Sequence, residues 1–209
     1  MLLRCHEYPD RRLAAVPGCG DRGLIACPGR GRARTYRRIS VRKTTRAREL
    51  AATHPAVRLT PDHWQIALFG NSIGDFQRPG GERWVLEGRL ISVALQALRL
   101  GTSVVLDFGL WGRDERSALR WLARSAGAAC QVVYLPVDKD VQLARIAHRQ
   151  ATAPDRTFPM TEADVDAWRE QFQEPDAAEL DGGEIPDPPA GWPGWAQWAL
   201  EQWPTCTDS

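Results

Sequence analysis

The segment around Lys43 combines residue types that bind phosphate. Lys43 and Thr44 stand at the start of "KTTRARELAATH", which we predict to be a helix. A phosphate-binding loop of the form G-x-x-x-x-G-K-S/T ends in such a pair, because its glycines let backbone N–H groups close around phosphate oxygens. The chain has only two lysines, so chance alone rarely places one here. The pattern predicts a phosphate site, and a solvated lysine at a helix start is the alternative.

The two glycine positions of this loop hold Arg37 and Arg42 instead. A glycine in a phosphate nest usually has a positive φ or lies against the phosphate. An arginine Cβ there costs on the order of 1 to 2 kcal/mol and can clash with the ligand. No hydrophobic strand leads into the loop either, since "RARTYRRIS" precedes it. We therefore expect weakened nucleotide binding.

Two carboxylates follow predicted strands. Asp62 comes after the strand expected near 56–60, and Asp107 ends the β-branched run expected as a strand near 103–107. A third strand is expected near 131–135, with a helix between it and the second, which favours a parallel sheet. Helix starts and strand ends meet at one edge of such a sheet, so Lys43, Thr44, Asp62 and Asp107 are expected to converge there.

The remaining segments predict a three-layer α/β sandwich with flanking regions. A helix with one buried face is expected over 80–100 and should end at Gly101. Thr161 and Asp164 are expected to form a capping box at the start of a later helix. We assign the domain to 39–180, an irregular basic arm to 1–38 and an acidic tail rich in Pro and Trp to 181–209. The arm holds nine Arg against three acids and has no periodicity, so 1–35 are expected to be poorly ordered. The tail tryptophans could cover the core or contact a partner.

Composition narrows the class of protein. A chain of 209 residues with 43% hydrophobic content can build one core, and its formal net charge is +1. Three of the five cysteines, Cys5, Cys19 and Cys27, lie in the basic arm, with spacings that match neither a zinc site nor a disulfide framework. We see neither a signal peptide nor a run long enough to span a membrane, and expect a cytoplasmic protein with no membrane partner. The basic arm could bind nucleic acid, but it has few aromatic residues, which disfavours that reading.

Five stretches in order carry a resemblance to a known family. They read "ISVRKTTRARELA", "RLTPDHW", "VVLDFGLWGRDER", "RTFPMTEADVDAW" and "FQEPDAAEL". They are similar to those of the P-loop kinases that include zeta-toxin-like, chloramphenicol-phosphotransferase-like and polynucleotide-kinase-like ATP-binding proteins, here with a degenerate Walker A loop. The resemblance runs from Ile39 to Leu180.

That resemblance implies a P-loop NTPase fold of the kinase type and transfer of the γ-phosphoryl group of ATP, with Mg²⁺, to a hydroxyl of a small molecule or nucleotide. The implied nucleotide-binding residues are Ser40, Lys43, Thr44, Thr45, Arg145 and Arg156. Thr44 and Asp107 would hold Mg²⁺, Asp62 would accept the hydroxyl proton, Arg149 would stabilise charge on the phosphoryl group, and Arg113 and Arg116 would bind substrate. The alternatives are structural: Asp62 as a helix N-cap, Asp107 as a turn residue, and the two last arginines as surface partners of nearby acids.

Two other interpretations compete with an active kinase. One is a non-catalytic remnant whose loop arginines block the nucleotide. The other is an altered N-terminal segment fused to a true domain, since the composition changes abruptly before Ile39.

Overall fold

The computed structural model describes residues 2–7, 43–71 and 80–206. In chain order these residues form β1 (Leu2–Glu7), α1 (Lys43–Thr53), β2 (Ala56–Leu59), α2 (Pro61–Phe69), α3 (Glu82–Arg99), β3 (Ser103–Leu106), α4 (Arg113–Ser125), β4 (Ala128–Val133), α5 (Lys139–Thr152), a 3-10 turn (Pro154–Arg156), α6 (Glu162–Gln171), α7 (Ala177–Leu180) and α8 (Trp195–Gln202). The three strands expected from the sequence are thus present as β2, β3 and β4, with shifted ends.

The described strands form one sheet in the order β2-β3-β1-β4. β2 and β3 are parallel, with Leu59 opposite Leu106. β1 is antiparallel to both β3 and β4. β3 and β4 therefore run in the same direction on either side of β1, and α4 connects them. The three strands identified from the sequence share one direction, as expected for a parallel sheet, and β1 is an antiparallel strand that the sequence did not predict.

Helices cover both faces of the sheet, which confirms a three-layer α/β fold. One face packs against α3, α4 and α8, and this side holds the larger hydrophobic cluster. The other face packs against α1 through a smaller cluster that includes Leu2, Leu50 and Val105. Val104 and Val105 are both fully buried, one toward each helical layer. A strand covered on both faces needs apolar residues at consecutive positions, as the run in β3 has.

Strand β1 corrects the assignment of 1–38 to an irregular arm. Leu2, Leu3 and Cys5 are buried between β3 and β4. The expected disorder of 1–35 is wrong for this strand. Residues 8–42 lie outside the described part of the chain, so the rest of the arm assignment stays a prediction.

The C-terminal tail is part of the domain and not a separate segment. Trp195, Ala199, Trp203 and Cys206 are buried in the larger hydrophobic cluster. A Cβ on Gly88 of α3 would lie 3.0 Å from the backbone nitrogen of Thr205, so the tail comes into close contact with that helix. Of the two roles considered for the tail tryptophans, covering the core is the one observed.

Helix ends follow the sequence signals. Thr161 and Asp164 form the expected capping box, in which the Asp164 backbone N–H donates to Thr161 Oγ1 at 3.2 Å and the Thr161 N–H donates to Asp164 Oδ2 at 2.8 Å. Gly101 follows α3 with a φ of +77°, a left-handed conformation that glycine adopts without steric cost.

The burial of the tail generates a prediction about stability. Trp203 is 1% exposed, so Trp203→Ala should lower the free energy of unfolding by about 3 to 5 kcal/mol through lost burial and a cavity. Leu200→Ala is the matched control in α8, the helix that ends just before Trp203, because Leu200 is 41% exposed, and it should cost well under half as much. Urea denaturation followed by circular dichroism measures both. Equal, small effects would show that the tail does not contribute to the core.

Candidate phosphate-binding site

Asp107 is the centre of the site that the fold builds. It follows β3 directly, and its backbone N–H donates to the carbonyl of Leu59 at 2.8 Å, which extends the pairing of β3 with β2. The carboxylate is fully buried. Its Oδ1 lies 3.3 Å from Lys43 Nζ, and its Oδ2 accepts a hydrogen bond from Arg58 Nη1 at 3.0 Å. Two cations from two other elements therefore neutralise this buried charge.

Lys43 is the first residue of α1 and reaches the end of β3. Its Nζ also donates to the carbonyls of Phe108 at 3.2 Å and Asp107 at 3.4 Å. About a third of the side chain, 32%, stays exposed. Thr44 is partly exposed and Thr45 is exposed in the same first turn. This turn is the positive end of the helix dipole, where anions bind favourably.

The rest of the predicted loop lies outside the described residues. Arg37, Ser40 and Arg42 all belong to the undescribed range 8–42, so their roles stay predictions.

Asp62 lies in the first turn of α2, which starts at the end of β2. It accepts a hydrogen bond from Arg83 Nη1 at 2.9 Å. Burial alone would raise the pKa of Asp62, but the charges of Lys43 and Arg83, with that hydrogen bond, outweigh it and lower the pKa. The carboxylate is therefore ionised at neutral pH. The influence of Lys43 shows that Asp62 shares the electrostatic environment of the Asp107 site.

The N-cap interpretation of Asp62 is wrong, because the N-cap residue of α2 is Thr60. Thr60 makes no side-chain capping bond, and its buried hydroxyl has no hydrogen-bond partner among the described residues. The same holds for Oδ1 of Asp107, which is ion-paired with Lys43 without a hydrogen bond. A buried acceptor without a donor is rare in proteins and requires a physical explanation.

A second charged group supports Asp62 from α3. Arg83 is 8% exposed and bridges Asp62 to Glu87, whose Oε1 lies 2.7 Å from Arg83 Nε. Burial raises the pKa of Glu87, against the effect of Arg83. The other oxygen of Glu87 accepts from Trp203 Nε1 at 3.3 Å. A continuous series of hydrogen bonds therefore runs from Asp62 through Arg83 and Glu87 to Trp203 in the C-terminal tail.

Sequence reasoning missed the two arginines that organise these carboxylates. Arg58 interrupts the apolar run of β2, and a cation among apolar strand residues is a signal for an acid nearby. Arg83 stands in the first turn of α3, and no local feature of that turn indicates that it pairs with Asp62.

The two predicted substrate arginines have different positions. Arg113 is exposed, and its Nη2 lies 3.3 Å from Asp176 Oδ2. Arg116 is fully buried: its Nε and Nη2 contact the two carboxylate oxygens of Glu179, the latter at 3.0 Å, and its Nη1 donates to the carbonyl of Trp111. This bidentate pair joins α4 to α7. Arg116 therefore has a structural partner within the fold and no open face for a substrate.

The three arginines predicted to contact the nucleotide or its transferring phosphoryl group lie on one connected segment. Arg145 and Arg149 belong to α5, and Arg156 ends the 3-10 turn that follows it. Asn71, just after α2, donates through Nδ2 to the carbonyls of Pro154 and Thr157, both at 3.2 Å. These bonds connect the 3-10 turn to the C-terminal end of α2, the helix whose first turn contains Asp62.

A comparison with protein-family models identifies the family. A model described as an AAA domain matches residues 40–175. The chain therefore belongs to this family of P-loop NTPase-type, nucleotide-binding domains. Its matched range contains Lys43, Asp62 and Asp107 and excludes β1 and α8.

Comparisons with curated proteins and with solved structures each found no significant match. Among the helices of the described residues, none combines the length and apolar character that crossing a bilayer requires.

Glu115, in the first turn of α4, is a further group whose pKa is shifted. Its Oε2 accepts from the backbone N–H groups of Trp111 and Gly112 at 2.8 and 2.7 Å, which closes the start of α4. Burial raises its pKa from 4.5 to about 7, and the hydrogen bond from Gly112 opposes this shift only in part.

The raised pKa of Glu115 predicts a pH dependence of stability. The folded state binds this proton more tightly than the unfolded chain does, so the stabilisation is complete below pH 4.5. It is lost as the pH rises through about 7. The difference amounts to at most about 3 kcal/mol. Glu115→Gln keeps an acceptor for both N–H groups and should remove this part of the decline between pH 5 and 8, as measured by urea denaturation.

Asp114→Asn makes the same chemical change at an exposed neighbour and is the matched control. If the wild-type and Glu115→Gln profiles stay parallel from pH 5 to 8, Glu115 does not titrate in this range.

Proposed function

We propose that this chain descends from, and acts weakly as, an ATP-dependent phosphotransferase that passes the γ-phosphoryl group to a hydroxyl of a small molecule or nucleotide. The observation that carries the proposal is the ion pair between Lys43 in the first turn of α1 and Asp107 at the end of β3. It joins a phosphate-binding lysine to a carboxylate at the edge of the sheet where ligands of α/β proteins bind. Membership of the AAA domain family supports the same reading.

The residues around Asp107 fit a hydrated Mg²⁺. Among the residues that the structure describes, none donates a hydrogen bond to the buried Oδ1 of Asp107, and a metal-bound water would supply one. The hydroxyl of Thr44, one residue after Lys43, is an oxygen ligand of the kind that Mg²⁺ prefers. When bound, ATP would supply the transferable phosphoryl group, and Mg²⁺ would supply positive charge beside the phosphates.

The chain's own groups divide the remaining tasks. Lys43 places a positive charge at the N-terminus of α1, where phosphate oxygens gain from the helix dipole as well. Asp62, ionised and fixed by Arg83, can orient an acceptor hydroxyl and take its proton. Arg113, Arg145, Arg149 and Arg156 stay as proposed contacts to the phosphates or the acceptor, whereas Arg116 is used by Glu179.

Binding a phosphate would rearrange these pairs. Lys43 must turn partly away from Asp107 to meet a phosphate oxygen, because its amino group is already within 3.3 Å of the carboxylate. Arg58 keeps its own bond to Oδ2, so the buried carboxylate would not lose all its compensation.

A non-catalytic remnant is the second candidate, and the direction of β1 favours it. β1 begins beside the carboxyl ends of β3 and β4 and finishes opposite Ala128, at the start of β4. It therefore ends at the edge of the sheet away from Lys43. No described strand runs into the segment before Lys43, and the two glycine positions of that segment hold arginine.

Restoring the loop glycines tests whether this loop is the nucleotide site. We expect the chain to bind Mg·ATP poorly and the double variant Arg37→Gly with Arg42→Gly to bind at least about tenfold more tightly, a difference of 1.4 kcal/mol. The backbone N–H groups of a phosphate nest each make charge-assisted hydrogen bonds worth about 1.5 to 3 kcal/mol, and they require the glycine geometry. Isothermal titration calorimetry measures the dissociation constants.

Adding Lys43→Ala to the double variant should abolish the gain. Lys139→Ala is the matched control, because Lys139 is the other lysine of the chain and pairs with Glu162 and Asp166 on the surface. Equal affinity before and after glycine restoration would show that this loop is not the nucleotide site. Tight binding with no phosphoryl transfer to hydroxyl acceptors would support the remnant.

A further inference from the structure

Two cysteines face each other across the strands that hold the N-terminal segment in the sheet. Cys5 of β1 is directly opposite Cys130 of β4 in the antiparallel register. The thiol of Cys5 donates to Cys130 Sγ, with the two sulfurs 3.0 Å apart. Both cysteines are free thiols. Because 125 positions separate them in the chain, their spacing in the sequence gave no indication of a pair.

We propose that Cys5 and Cys130 form a reversible disulfide that links β1 covalently to β4. Directly opposed residues of an antiparallel pair have Cα atoms about 4.5 to 5.5 Å apart. A disulfide requires about 4.4 to 6.8 Å between the same atoms. The register therefore satisfies the main-chain requirement, and the sulfurs need only small side-chain rotations to reach bonding distance.

The surroundings of the two thiols assign the order of reaction. Cys5 is 3% exposed, whereas Cys130 is partly exposed at the edge strand. The hydrogen bond to Cys130 and burial raise the pKa of the Cys5 thiol well above its usual range. Cys130 is therefore the sulfur that a small oxidant meets first, and Cys5 is the sulfur that resolves the intermediate.

The oxidant is a low-molecular-weight disulfide such as oxidised glutathione. The Cys130 thiolate attacks one of its sulfurs, forms a mixed disulfide and releases one small thiolate. Cys5, losing its proton, then attacks Cys130 Sγ, which forms the Cys5–Cys130 bond and expels the second small thiol. Two protein thiols are oxidised, one small disulfide is reduced, and the two thiol protons end on the two small thiols.

The link would join the N-terminal strand to β4, whose one strand neighbour in the described sheet is β1. β1 lies between β3 and β4, and only the 35 residues of 8–42 connect it to α1. A bond between positions 5 and 130 closes a loop of more than 100 residues, so it strongly restricts the unfolded chain. Oxidation should therefore stabilise the whole sheet and keep β1 in place.

The experiment compares one protein in two redox states. The full chain is incubated with oxidised glutathione or with dithiothreitol, digested after thiol blocking, and mapped by mass spectrometry. We expect a peptide pair joined through Cys5 and Cys130 after oxidation, its loss on reduction, and a Tm at least about 5 °C higher in the oxidised form.

Variants separate this pair from the other cysteines. Cys5→Ser and Cys130→Ser should each remove both the linked peptide and the rise in Tm. Cys206→Ser, at a buried cysteine of the tail, should retain both, as should Cys19→Ser with Cys27→Ser. If a pair variant fails to fold, the wild-type comparison still decides. Free Cys5 and Cys130 after oxidation, linkage through another cysteine, or an unchanged Tm would overturn the proposal.

Discussion

The buried carboxylate of Asp107 is the constraint on which the arrangement of the site depends. A carboxylate with no solvent exposure is stable in a protein interior only when charges and hydrogen bonds compensate it. Here the compensation comes from Lys43 of α1 and Arg58 of β2, so three elements must meet at one point. Removing either cation would leave this buried carboxylate less compensated, which destabilises the fold. The same contacts that stabilise the fold therefore place a lysine and a carboxylate where a phosphate-binding protein needs them.

Around this point the chain uses distant segments to complete the domain. β1 fills the space between β3 and β4, and the C-terminal tail closes the core beside α3 and α4. Trp203 contacts Glu87, which contacts Arg83, which contacts Asp62. The tail thus supports the candidate base through two ion pairs and one hydrogen bond, although it lies outside the range that matches the AAA domain family.

Local sequence patterns predicted the helices and strands whose signals lie within their own residues. The β-branched run of β3, the capping box of Thr161 and the apolar face of α3 are all local signals, and the convergence of Lys43 with Asp107 followed from parallel strand ends. β1 was not predictable, because "LLRCHE" has neither alternation nor a long apolar run, and its burial depends on strands that come a hundred residues later. Arg58, Arg83 and the Arg116–Glu179 pair were missed for the same reason, since their partners are distant in sequence.

If Asp107 organises the site, Lys43 and Asp107 stabilise each other in the folded protein. A double-mutant cycle with Lys43→Met, Asp107→Asn and the double variant, followed by urea denaturation, measures that interaction directly. We expect a coupling free energy of at least about 1 kcal/mol, within the usual range for residues in one ion-pair network. Additive effects, with a coupling below about 0.3 kcal/mol, would contradict it and would mean that the pair does not organise the site.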